Sequence, residues 1–225
     1  GDGPWNWIAG VFYNRFTLDG SSQEFVPGYP EFIGLPPDTP TLEYLELNDE
    51  TLKEKALFGE VGYEITDRWQ VTVGARWFEF EDDLETLFAL PLIEAVPGEI
   101  NLAGDRNKTK DDDVIFKFNT SYRFTDDLMT YLTISEGYRQ GGVNSGPACE
   151  SPLPPGQNVC LLPDEVLISP DTTVNYELGL RSTWLDGALL VNASVYYIDW
   201  EDIQVQGTSV NGSVAITVNG SSAES

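Results

Sequence analysis

Apolar and polar residues alternate along this chain in runs of about ten, and the runs come in pairs. Residues 57–65 and 69–77 flank Thr66-Asp67-Arg68. Residues 114–124 and 128–138 flank Thr125-Asp126-Asp127, and residues 174–184 and 188–200 flank Leu185-Asp186-Gly187. Successive side chains of a strand point to opposite faces, so each run predicts a strand with one oily and one wet face. Val114, Phe116, Phe118, Thr120, Tyr122 and Phe124 share one face, against Ile115, Lys117, Asn119, Ser121 and Arg123 on the other. Val174, Tyr176, Leu178, Leu180 and Trp184 oppose Asn175, Glu177, Gly179, Arg181 and Thr183 in the same way. Asp and Gly in the connectors supply turn hydrogen bonding and positive φ. An earlier strand over residues 5–16 is predicted without a defined phase.

Alternation alone also fits a soluble antiparallel sandwich. Three details favour a membrane barrel. Charges sit mid-strand on the wet faces: Glu60, Arg76, Lys117, Arg123, Glu177 and Arg181. These suit a watery lumen, and Lys117, Arg123, Glu177 and Arg181 are the expected lumen-facing residues. Aromatic residues cluster at both strand ends, as in the two girdles at membrane interfaces. The connections opposite the short turns, read as residues 18–53, 81–113, 140–172 and one near 207–212, exceed the few residues that link hairpins in compact sandwiches. The expected fold class is therefore all-β: an antiparallel transmembrane β-barrel segment of seven or eight strands, with short periplasmic turns and long extracellular loops. The eighth strand is expected to begin within residues 213–225.

Composition narrows the picture. With 37 acidic and 12 basic side chains the net charge is −25, which would repel a phosphate backbone, so no nucleic-acid partner is expected. No apolar run reaches the roughly 18 residues of a transmembrane helix; barrel strands need only about 9–11 each. No secretion signal precedes the first strand, so an excerpt of a larger outer-membrane protein is expected. Cys149 and Cys160 lie in one Pro-rich loop, where a disulfide fits an oxidising compartment and two unpaired thiols are the alternative.

The stretch Leu128-Met-Thr-Tyr-Leu-Thr-Ile-Ser-Glu-Gly-Tyr-Arg-Gln-Gly-Gly-Val-Asn144 resembles a strand of the TonB-dependent receptors of Gram-negative outer membranes, with its ending Ser-x-Gly-aromatic-Arg-x-Gly-Gly. Pro170-Asp-Thr-Thr-Val-Asn-Tyr-Glu-Leu-Gly-Leu-Arg181 and Tyr197-Ile-Asp-Trp-Glu-Asp-Ile-Gln204 are similar to the family's next two strands, in the same order and spacing. The resemblance implies a partial barrel domain over 1–225. Family members fill a barrel of about twenty-two strands with a plug domain, and no plug is visible in this chain. It further implies an outer-membrane import receptor for a ferric siderophore or similar scarce nutrient, energised by the TonB-ExbB-ExbD complex through the plug and surrounded by outer-membrane lipid and lipopolysaccharide. Tyr138, Arg139, Gln140 and Asn144, where a strand enters a loop, are the residues expected to face ligand. A passive porin or structural barrel, and a secreted β-sandwich adhesin, are the competing expectations.

Chemistry points away from catalysis. The chain has no histidine, which removes the commonest general base and all His-based triads. It has no phosphate-binding Gly loop and no Gly-x-Ser-x-Gly elbow. No enzyme activity, cofactor or resident metal is expected. The acidic runs Glu81-Asp82-Asp83-x-Glu85 and Asp111-Asp112-Asp113 are candidates for divalent cations, with solvated, self-repelling loops as the plainer expectation.

Overall fold

The computed structural model describes residues 3–149, 160–212 and 214–224. Eight strands form one antiparallel sheet: β1 (Trp5–Phe25), β2 (Leu42–Thr66), β3 (Trp69–Ala89), β4 (Ala103–Thr125), β5 (Leu128–Arg139), β8 (Asp171–Trp184), β9 (Leu189–Glu201) and β12 (Ala223–Glu224). Between β5 and β8 lie the short paired strands β6 (Gly142–Val143) and β7 (Leu167–Ile168). Between β9 and β12 lies the hairpin β10 (Gln204–Thr208) and β11 (Ala215–Asn219). A single helical turn, α1 (Tyr29–Phe32), sits in the β1–β2 connection.

The three tight turns fall where the alternation breaks. The first two hairpins each carry a register shift just before the turn, between Glu64 and Thr66 and between Arg123 and Thr125. The third turns through Leu185, Asp186 and Gly187, all with positive φ, which the side chain-free Gly187 adopts without strain.

The phase of β1 is settled by its partner. Trp7, Ala9 and Val11 face the same way as Val61, Gly59 and Leu57, while Phe12 joins Ala56 on the opposite face. Gly10 lies opposite Phe58, and a Cβ there would come within 2.4 Å of the Phe58 ring. A glycine opposite an aromatic residue lets the ring lie flat across the neighbouring strand.

Two expected loops are corrected. Most of residues 18–53 and 81–113 is strand: β1 to β4 run for 21, 25, 21 and 23 residues, about twice a membrane crossing. Only 26–41 and 90–102 connect them. The outer face of these segments carries charge in place of apolar residues, so the oily stripe of the belt stops, and charge pairing across strands holds them in register. Lys53 and Lys55 face Glu81 and Glu79 across β2–β3 at 2.9 and 2.8 Å. Lys108, Lys110 and Arg106 reach Glu81, Glu79 and Asp83 from β4 at 2.9, 3.2 and 2.7 Å. The region near 207–212 is likewise corrected: Gly207 belongs to β10, which ends at Thr208. Within the expected eighth-strand region, 215–219 pairs with β10, and only β12 joins the main sheet, against Trp200 and Asp199.

Register also marks the edge of the oily belt. Val11, Leu57, Trp77 and Val114 align across β1–β4 on one face. The next row on that face is Tyr13, Lys55, Glu79 and Asp112. Below this border the face is apolar and uncovered by protein, with Trp7 76%, Val11 79%, Phe116 58% and Val195 69% exposed. An apolar surface this continuous needs a non-aqueous cover, and closed barrel walls meet lipid in this way. The protein's own buried cluster (Ala56, Phe78 and Phe80, with Ile115 and Tyr138 against it) lies on the opposite, inner face, near and beyond the upper border.

Candidate ligand vestibule above the membrane

The inner face beyond the border is roofed by the β5–β8 and β9–β12 connections, which hold each other through buried polar groups. Arg139 ends β5. Its Nε donates to Asp171 Oδ2 at 3.0 Å, its Nη2 donates to the Gln204 carbonyl at 2.9 Å, and its guanidinium lies 5.7 Å from the Trp200 ring. Asp171 is 2% exposed and also accepts the Gln204 backbone N–H at 3.0 Å. The Gln204 side-chain amide donates to the carbonyls of Gln140 and Ser169 at 2.8 and 3.0 Å. One ion pair thus ties β5 and β8 to β10.

Asn144 acts as a side-chain peptide. Its amide nitrogen donates to the Glu165 and Thr217 carbonyls, and its oxygen accepts the Thr217 N–H, each at 2.8 Å. Glu165, 7% exposed, accepts N–H groups from Leu162 at 2.8 Å and Val210 at 2.5 Å. Cys149 and Cys160 form a disulfide with Cα atoms 4.8 Å apart. The connection is therefore a cross-braced roof.

Beside the roof lies a cavity of about 830 Å³, broadly open to solvent and lined among others by Glu50, Glu54, Arg76, Asp82, Tyr138 and Gln140. Tyr138 is positioned by a parting of strands. Pairing of β4 with β5 ends at Lys117 and Ser135, and the Glu136 carboxylate takes the Phe116 N–H at 2.8 Å in place of a backbone carbonyl. Tyr138 then stacks on Phe78, with centroids 3.5 Å apart and planes 2° from parallel. Its hydroxyl donates to Glu54 Oε1 at 3.0 Å, and Arg76 Nη2 donates to the same oxygen at 2.7 Å.

Of the four residues expected to face ligand, Tyr138, Arg139 and Gln140 line this cavity. Asn144 is 8% exposed and engaged in the roof. Of the four expected to face the lumen, Lys117 bonds Glu60 at 2.9 Å on the inner face. Glu177 accepts the Tyr131 hydroxyl at 2.6 Å, and Arg181 stands 5.4 Å from the same ring. Arg123 and Arg181 flank Met129 in register.

Alternation splits the acidic runs between faces. Glu81 and Asp83 join the outer ladder while Asp82 turns inward; Asp112 turns outward while Asp111 and Asp113 turn inward. Among the described residues no cluster of three or more His, Cys, Asp or Glu side chains is arranged to hold a metal ion. The sequence pattern singles out neither Glu50 and Asp82, which line the cavity, nor Asp171 and Glu165, which brace the roof. For Asp82 a signal existed: continuing the alternation past Trp77 puts it on the face of Arg76.

A lipid-facing belt, a polar inner face and a vestibule at one end define the wall of an outer-membrane β-barrel. The chain belongs to the TonB dependent receptor-like β-barrel family, whose model matches residues 1–225. That family is one of outer-membrane transport receptors. The pesticin receptor of Yersinia enterocolitica is 27% identical over 169 residues, which is 75% of this chain and 22% of that protein. In fold, the sheet resembles the ferric yersiniabactin uptake receptor of Yersinia pestis, with a TM-score of 0.70 and 19% identity over 91% of this chain and 27% of that one. The ferric-catecholate import receptor of Escherichia coli K12 gives 0.60 and 14% identity over 95% and 30%. The chain thus spans about a quarter of the relatives it matches.

Proposed function

We propose that this chain forms the wall and extracellular vestibule of a TonB-dependent import receptor for a ferric siderophore or similar scarce nutrient. The observation that carries this reading is the cavity beside the roof on the inner face, above the lipid border, in a chain matched along its length by a receptor family. Tyr138 and Gln140 meet the ligand, because aromatic and amide groups converging on a cavity suit an organic chelate. Arg139 and Asn144 hold the roof in place. Energy reaches the whole receptor from TonB-ExbB-ExbD through a plug, and the ladder above the belt faces lipopolysaccharide.

The test is radiolabelled iron uptake by cells lacking other receptors and expressing the full-length protein. Uptake of at least one ferric chelate, abolished when TonB is deleted, is expected. Entry of solutes that is indifferent to TonB would replace the receptor with a passive pore.

A further inference from the structure

Two carboxylates in the vestibule have no counter-charge. Asp82 is 3% exposed, and its Oδ1 has no hydrogen-bond partner. Its Oδ2 lies against the roof beside Gly142. Glu50 projects from β2 on the same face, diagonally across the strand pair: Leu52 is opposite Asp82 and Glu50 opposite Leu84. Diagonal neighbours lie within about 7–8 Å, close enough for one group to bridge them. The basic residues lining the cavity are already committed, Arg76 to Glu54 at 2.7 Å and Arg139 to Asp171. Among the described residues no ion pair reaches Glu50 or Asp82.

The walls around this pair say what would bridge it. Leu52, Ile115, Ile168 and Tyr138 give the same cavity an apolar and aromatic lining. A hard cation such as calcium takes about 6–8 oxygens, which two carboxylates against an oily wall do not provide. An organic ammonium is satisfied by two carboxylates and a few apolar contacts, and an aromatic face attracts it further. A buried acid without a partner is costly, so a cationic group delivered by ligand gains more here than on an open surface.

We propose that Glu50 and Asp82 form a subsite for a primary ammonium carried by the imported chelate, so that the receptor selects cationic over neutral members of one chelate class. This rests on the import reading above and adds the charge of the substrate to it. Full-length receptor, purified in detergent, is titrated near neutral pH with a gallium-loaded linear trihydroxamate ending in a primary ammonium. The same complex N-acetylated at that amine is the control. The ammonium form is expected to bind about tenfold more tightly, the worth of one charge-assisted hydrogen bond. Glu50→Gln and Asp82→Asn each bring the two affinities together. Heat-modifiable gel mobility confirms that each variant is folded.

Equal affinity for the two forms, binding of neither, or a preference that survives both substitutions overturns the subsite. TonB-dependent uptake of iron without ammonium preference leaves the import function standing and removes only the subsite. Ammonium-selective binding without TonB-dependent uptake does the reverse.

Discussion

Asp82 shows how one residue joins roof to wall. Burial first, then the Glu50 carboxylate, pushes its acid up to about 6, and the Val143 N–H opposes that only in part. The group sits beyond the Trp77 border, outside the lipid belt. A raised acid favours the folded state at low pH: the effect is complete below the ordinary aspartate range and is lost as pH rises through about 6. Amide exchange at Val143, corrected for intrinsic rates, is therefore expected to show the roof held more tightly at about pH 5 than at about pH 8, by about 1–3 kcal/mol. Asp82→Asn, which keeps an acceptor for Val143, removes that pH dependence. Arg139 gives a second residue-level prediction. Arg139→Ala strands the Asp171 carboxylate in a buried site, and loss of one partner of such a pair costs about 3–5 kcal/mol. Its effect appears as faster exchange through β10 and the roof, with β1–β4 unchanged. The pairing of Arg139 with Asp171 was not legible in the sequence, where the two lie 32 positions apart. That Tyr138 and Gln140 line the cavity follows from their place where a strand enters a loop, which the sequence does mark.

At the scale of the strand, legibility followed oil. Where one face meets lipid, alternation marks the strand, its phase and its turns, and the hairpins of β2–β3, β4–β5 and β8–β9 were read to within a residue or two. Beyond the border the outer face turns polar while Phe78, Phe80, Leu84 and Phe88 stay buried on the inner face, so the halves of β1–β4 nearer the roof do not carry the lipid-facing mark. What specifies them is complementary charge between segments distant in sequence, such as Lys53 with Glu81 across 28 positions. Opposite charges facing each other across strands favour pairing, and like charges oppose it. Glu81 accepts from Lys53 and Lys108, which hold its carboxyl down at about 2. A lowered acid stabilises above its ordinary value and loses that effect as pH falls through the folded value. The upper ladder is therefore expected to resist exchange at about pH 4 and to open near pH 2. Because these pairs lie near the surface, added salt screens them. Raising salt to about 1 M should speed exchange in the upper β3 and β4 while sparing the belt below Trp77.

For the whole molecule, the decisive quantity is the difference between the two faces of one sheet. In water, a surface holding Trp7, Val11, Phe116 and Val195 this exposed would drive association; in a bilayer it is the side that needs no partner. The inner face, with Lys117 on Glu60 and Tyr131 on Glu177, would be costly against hydrocarbon and is at ease beside water. A pair of substitutions on β8 separates these environments. Leu178 is 54% exposed on the outer face near the middle of the strand, and Asn175 faces inward in register with Ser135 and Lys117. Leu178→Arg is expected to cost the full-length receptor about 2–4 kcal/mol in unfolding from lipid vesicles, the penalty for an arginine at the bilayer midplane. Asn175→Arg, three residues away on the same strand, is expected to fall within about 1 kcal/mol of the parent, because a lumen-side charge stays hydrated. Equal penalties at the two sites would mean that both faces meet the same medium. The belt, its border and the vestibule above it would then lose their common physical cause.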